Sequence, residues 1–283
     1  LITGLPGVYR ETMTPFRCTR VGPSSFFMDT NHPLVDVASG LTYKALVHDV
    51  WIKEMDGGGR LNDWLERVCL DGQGMQLRFQ DKPTDFFTGQ PFSRQDEEPD
   101  ERFYAGVRLT DHVDAACADR LREVYKDLLT PGMRVLDLMS SVSSHLPEEV
   151  EYSEVTGLGL NQEEMEANPA LSRHVIQDLN QNPELPFDNA SFDAVICSLS
   201  VEYLRDPVAV FQEAARVLVR GGPFILTFSN RFFPTKAIRI WAQLHEFERM
   251  GLVLEFFDQS QAFERLQSLS ERGWPRPMDD KHF

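Results

Sequence analysis

The sequence predicts an α/β fold: a doubly wound, mostly parallel Rossmann-like sheet, preceded by a small β-rich N-terminal region. Three observations carry the prediction. Apolar runs of strand length recur at 135–138, 155–160, 174–179, 192–198 and 223–229, as in strands covered on both faces. Helical signals alternate with them across short joints, the pattern of repeated β-α units and a parallel sheet. The first run, within MRVLDLMSSVSSHL at 133–146, carries Asp137 near its carboxyl end and breaks into a serine-rich turn. Ligands of open α/β sheets bind in the crevice beyond that end of the strands.

In chain order, residues 1–93 are expected to form the β-rich region and its linker, and 94–283 the α/β domain. Leu41, Tyr43, Ala45, Val47 and Trp51 alternate with polar neighbours, the period of a half-buried strand. The stretch FFMDTNHPLVDVASGLTYKALVHDV at 26–50 resembles a fragment of FKBP-type prolyl isomerases, in which an NHPL turn leads into a long strand. No set of aromatic pocket residues accompanies it, so isomerase activity is not implied; a turn at Asn31 and Pro33 accounts for the pattern. DGGGRLN at 56–62 reads as a flexible connection and RQDEEPDER at 94–102 as a solvated acidic linker.

A helix is expected from Thr110 or Asp111, with Val113, Ala116, Cys117, Leu121, Val124 and Leu128 on one face and Pro131 and Gly132 ending it. Another starts at Asp206 as cap with Pro207 at its first position. A single helix from about Lys236 to Gln259 and a sixth strand over Ala262–Leu269 complete the expected elements.

Composition narrows the function. A formal net charge of −16 repels polyphosphates, which disfavours a nucleic-acid partner and favours a small molecule. The 4 cysteines form no CxxC pair and read as reduced thiols, and no apolar run reaches the roughly 18 residues of a membrane span. With no signal-peptide pattern at the first residue given, a cytoplasmic protein without membrane association is expected. His112 and His145 lack ligand spacing, so no metal is expected. Oligomeric state is not encoded in any pattern.

Four blocks in order, VLDLMSS, TGLGLNQEEM, IQDLNQNPELPFDNASFDAVICSLSVEYL and ARVLVRGGPFILTFSN, resemble the class I S-adenosylmethionine-dependent methyltransferases of type 11. The resemblance spans about 110–230. It implies S-adenosylmethionine as cofactor and assigns residues by position. Asp137 falls on the acid of the first motif, and Met139, Ser140, Ser141, Val142 and Ser143 on its glycine-rich turn. Gly159 takes the place of the ribose-binding acid, with Asn161 two residues beyond. Asp178 and Leu179 fall on the adenine contacts, and Ser198 and Leu199 lie beneath the cofactor. Tyr104 and Arg108 precede the first helix of the domain, where family members close over the cofactor. The acceptor would meet the methyl group near Glu202, Tyr203 and Arg231.

Two departures stand out. Glycines let such a turn adopt positive φ and let the cofactor approach its backbone; this turn has none, and Met139 is the substitution hardest to accommodate. The ribose carboxylate is also lost, although Asn161 could replace part of it. The variant resembles an LMSSxxSHLP motif shared by a sub-group of methyltransferase-like proteins. Plain alternatives stay open: Asp137 as a strand-end acid capping the next turn, the serines as a helix cap, and the whole domain as a catalytically silent binding module. A nicotinamide oxidoreductase is disfavoured by the missing GxGxxG.

Overall fold

The computed structural model describes residues 17–21, 26–29, 87 and 89–270. The chain divides into two units, Leu1–Gln76 with Gln267–Ser270, and Leu77–Leu266 with Glu271–Phe283. In the first, β1 (Arg17–Val21) and β2 (Phe26–Asp29) pair antiparallel, with a register shift between Cys18 and Arg20. The strand expected at 41–51, the FKBP-like stretch beyond Asp29 and the glycine connection at 56–62 lie outside the described residues.

The second unit holds a five-stranded parallel sheet: β3 (Arg134–Leu138), β4 (Glu154–Gly159), β5 (Arg173–Ile176), β6 (Ala194–Ser198) and β7 (Phe224–Thr227). Their order is β5-β4-β3-β6-β7, so the winding reverses between β3 and β6. That reversal opens the crevice in which such sheets bind ligands. β3 is central, with Val135, Leu136 and Leu138 buried on its two faces beside the carboxylate of Asp137. Leu136 and Leu138 join one core with Val195 and Cys197, while Val135 joins another with Ala194, Ile196, Leu121 and Tyr125. Each such side chain contributes roughly 1.5–3 kcal/mol on full burial.

The helices are α1 (Asp100–Tyr104), α2 (Ala115–Leu128), α3 (Gln162–Glu166), α4 (Pro207–Val217), α5 (Arg239–Gln243) and α6 (Glu246–Ser260). α4 starts as its sequence predicts: Pro207 follows Asp206, whose side chain accepts from the Ala209 N–H. No helix among the described residues is long and apolar enough to cross a membrane.

Four expectations are corrected. α2 begins after Asp114, not at Thr110 or Asp111, because the Asp114 carboxylate accepts the Cys117 N–H at 2.8 Å. Residues 94–102 are not a solvated linker. Arg94 and Asp100 are buried and paired at 2.9 Å, and the fully buried Lys236 ammonium lies 3.1 Å from Asp96 and 3.2 Å from Asp100. The expected single helix at 236–259 breaks at Leu244, whose backbone is extended, and restarts where Glu248 accepts the His245 N–H. Residues 262–269 form no strand. Gln261 and Arg265 adopt φ of 53° and 56°, which interrupts any extended run, and Phe263 packs its ring on Phe224 and Phe257 instead.

Candidate functional site

The site grows out of the turn after β3. Met139 takes φ 56°, the left-handed conformation that a glycine would adopt freely, and the Ser140 N–H then donates to the Leu158 carbonyl of β4 at 2.8 Å. Hydroxyl groups hold the turn where glycine would only permit it. Ser140 and Ser144 each donate to Asp137 Oδ2 at 2.6 Å, and the Asn168 amide donates to Ser144 Oγ and to the Ser141 carbonyl. Asp137 therefore acts as the strand-end acid that caps its own turn. Burial drives its pKa up to about 6 against the lowering effect of the two hydroxyls.

A glycine is required instead on the adjacent strand. A Cβ on Gly159, at the end of β4, would collide with the Ser140 carbonyl oxygen and come within 3.0 Å of Met165 Sδ. The serine turn and the bare position beside it fit together: the turn packs over the end of β4 where residue 159 has no side chain.

Beyond Gly159, Asn161 caps α3. Its Oδ1 accepts the Glu164 N–H, and its Nδ2 donates to the Tyr104 carbonyl at 2.8 Å. Glu164 is 5% exposed; Oε1 accepts the Arg108 N–H at 2.7 Å and Oε2 accepts the Ser141 hydroxyl at 2.6 Å. These bonds lay the segment 104–108 over the crevice. The Arg108 guanidinium sits 4.9 Å from the Phe103 ring centroid and 5.5 Å from that of Phe233, a cation–π arrangement that stiffens this wall.

The crevice holds a partly open cavity of about 190 Å³. Its wall includes Tyr104, Arg108, Met139, Ser140, Ser141, Asn161, Asp178, Leu179, Leu199, Tyr203 and Arg231. Asp178 binds the Asn180 N–H at 2.8 Å, and Leu179 is buried beside it. Met139 itself lines the cavity, and its partly buried side chain packs against the main core. Asp137 and Ser198 line a smaller adjoining cavity of about 50 Å³ with His145, and Ser198 Oγ lies 2.6 Å from the Tyr125 hydroxyl. The Tyr203 hydroxyl accepts the Phe233 N–H at 2.9 Å, and burial raises its pKa well above the ordinary phenol value.

Glu202 is not in either wall. It is fully buried, neither carboxyl oxygen accepts a hydrogen bond from the described residues, and desolvation pushes its pKa up to about 8. Desolvation therefore favours its protonated form, and the group does not line the cavity.

Sequence reasoning missed Glu164, Asn180 and the aromatic pair Phe232 and Phe233, all of which line the cavity. The spacing of Asn161 to Glu164 held a usable signal: an N-cap residue followed three positions later by glutamate fixes that carboxylate in the first turn, next to the strand end. Here the carboxylate reaches across to Ser141 and Arg108 rather than back to its own cap.

Residues 140–226 match the family model described as a methyltransferase domain. The matched segment, less than a third of the chain, resembles a methyltransferase domain. It runs from the serine turn into β7 and so contains the crevice. No curated protein matches the chain. Among solved structures, the chain is similar to an S-adenosylmethionine-dependent methyltransferase from Mesorhizobium loti, with 22% identity over 38% of this chain and 52% of that one (TM-score 0.31). A geranyl diphosphate C-methyltransferase from Streptomyces coelicolor A3(2) is 20% identical over 40% and 45% (TM-score 0.31). A protein from Pyrococcus horikoshii OT3 is 24% identical over 46% and 66% (TM-score 0.37). The chain spans about half the length of the first two.

Proposed function

We propose that the methyltransferase domain binds S-adenosylmethionine in the cavity beyond β3 and β4 and methylates a small molecule in the cytoplasm. The observation that supports this most is the cavity's position at the reversal of the sheet, inside the segment that matches the methyltransferase model. Its donors and acceptors fit an adenosyl ligand: a carboxylate at Asp178 for an exocyclic amine, apolar Leu179 and Leu199 for a flat base, and hydroxyls at Ser140 and Ser141. When bound, the cofactor supplies an electrophilic methyl group on a sulfonium sulfur.

The protein's part is positioning. Tyr104, Tyr203 and Arg231 bound the space left for an acceptor. Burial keeps Tyr203 a neutral phenol that orients rather than accepts a proton, as it does Tyr104, whose pKa is also raised. An in-line displacement with a positioned nucleophile can draw most of its acceleration from such alignment. The −16 charge supports a small acceptor over a nucleic acid.

Isothermal titration calorimetry with S-adenosylhomocysteine on the full chain tests the reading, and saturable heat at micromolar to millimolar ligand is expected. Absence of binding at millimolar ligand overturns it. The rival, a silent module, gains support from the left-handed Met139 and the bare Gly159. Its mark is binding without methyl transfer across a broad panel of small-molecule acceptors.

A further inference from the structure

We infer that Glu164 binds the ribose hydroxyls of the adenosyl ligand, in place of a strand-end acid that Gly159 cannot carry. The inference rests on the cofactor reading above and adds to it a residue and a selectivity.

Open α/β sheets that bind a nucleoside use a carboxylate to accept hydrogen bonds from the ribose hydroxyls. At the end of β4 that position is closed to any side chain, because a Cβ on Gly159 would strike the Ser140 carbonyl oxygen. The next carboxylate along the chain in the cavity wall is that of Glu164. It is 5% exposed, and its oxygens are fixed from two sides: the Arg108 N–H at 2.7 Å on Oε1 and the Ser141 hydroxyl at 2.6 Å on Oε2. Asn161 fixes the backbone beneath it by accepting the Glu164 N–H.

A carboxylate offers about four lone-pair directions, and only one on each oxygen is used. One remains on each for an incoming pair of hydroxyls. Among the described residues no cationic side chain pairs with Glu164, so its protein partners are neutral donors. A vicinal diol supplies two more such donors in the side-by-side geometry that a carboxylate accepts well. A ribose phosphate would meet a buried carboxylate and be rejected. The site therefore selects a nucleoside with both ring hydroxyls free.

The experiment is a ligand-by-variant cycle on the full chain, read by calorimetric binding. The ligands are S-adenosylhomocysteine and its 2′,3′-dideoxyribose counterpart, and the proteins are the native chain and Glu164→Gln. The native chain is expected to prefer the ribose ligand by roughly ten-fold or more, since a site built to hydrogen-bond a hydroxyl rejects the analogue lacking it. Glu164→Gln should lose about that factor for the ribose ligand and less than about two-fold for the dideoxy ligand, a non-additivity that marks direct contact. Equal losses for both ligands overturn the inference, leave the cofactor reading standing, and make Glu164 only a support for the serine turn. Failure of the native chain to bind either ligand overturns both. Circular dichroism checks that the variant is folded; if it is not, Glu164→Asp, which withdraws the carboxylate by one methylene, carries the same comparison.

Discussion

Asp137 and Glu202 are chemically alike and equally hidden, at 1% and 0% exposure, yet the fold treats them in opposite ways. Asp137 accepts two hydroxyls at 2.6 Å, and its pKa rises only to about 6. Glu202 accepts no hydrogen bond of good geometry from the described residues. Desolvation dominates, its own backbone N–H and the Arg249 guanidinium offset little of it, and the pKa rises to about 8. A partnered carboxyl shapes the chain around it, so Asp137 defines the turn that floors the cavity. An unpartnered one favours its neutral form, and Glu202 lies buried outside the walls of the cavity.

The largest effect that sharpens this contrast is one of pH. The folded chain holds the Glu202 proton up to about pH 8, whereas an unfolded glutamate releases it near 4.5. Between those values the unfolded state binds fewer protons, so native stability falls as pH rises, by on the order of 5 kcal/mol for this group. Glu202→Gln is expected to remove that slope: urea unfolding should show variant and native chains diverging steadily from pH 5 to pH 8.5, and parallel curves would break the contrast. Next is Asp137→Ala at pH 5.5, where the native carboxyl is largely protonated. Two buried hydroxyls lose their acceptor at a cost of roughly 3 kcal/mol, and Asp137→Asn, which keeps an acceptor oxygen, should lose less than half as much in the same urea titration. The smallest effect is that of Ser144→Ala, about 1 kcal/mol, because Asn168 keeps its bond to the Ser141 carbonyl. Its sharper readout is the Asp137 titration, which should move upward with one donor gone; an unchanged value would mean that the hydroxyl does not stabilise the carboxylate.

The sheet was legible because its signal is local. Five apolar runs and the Asp206–Pro207 start need no distant partner to be read, and the four family blocks carried the crevice with them. What escaped depended on pairing across the chain. Arg94, Asp96 and Asp100 look solvated in a run of charges, yet Arg94 and Asp100 are buried against each other, and Lys236, far along the sequence, joins Asp100 to the partly exposed Asp96. Glu164 reads as one more acidic residue on a helix that would ordinarily face water, until Ser141 and Arg108 arrive from two other segments. Glu202 failed for the converse reason: its place after β6 suggested the acceptor side, but the 3-10 turn over Val201–Tyr203 directs it inward. The two departures in the first motif looked independent in sequence; the contact between Gly159 and Ser140 fits them together.

The Lys236 cluster also bears on where the gene can be trimmed. The recognised segment starts at residue 140, and a fragment cut after Asp100 would discard the polar partners of the Lys236 ammonium among the described residues: the Asp96 and Asp100 carboxylates and the Glu98 carbonyl. Breaking a buried ion pair by removing one side costs about 3–5 kcal/mol, comparable to the whole margin that holds a small protein together. The shortest self-sufficient piece of this unit therefore begins at or before Arg94, and shorter expression products should be recovered as aggregates.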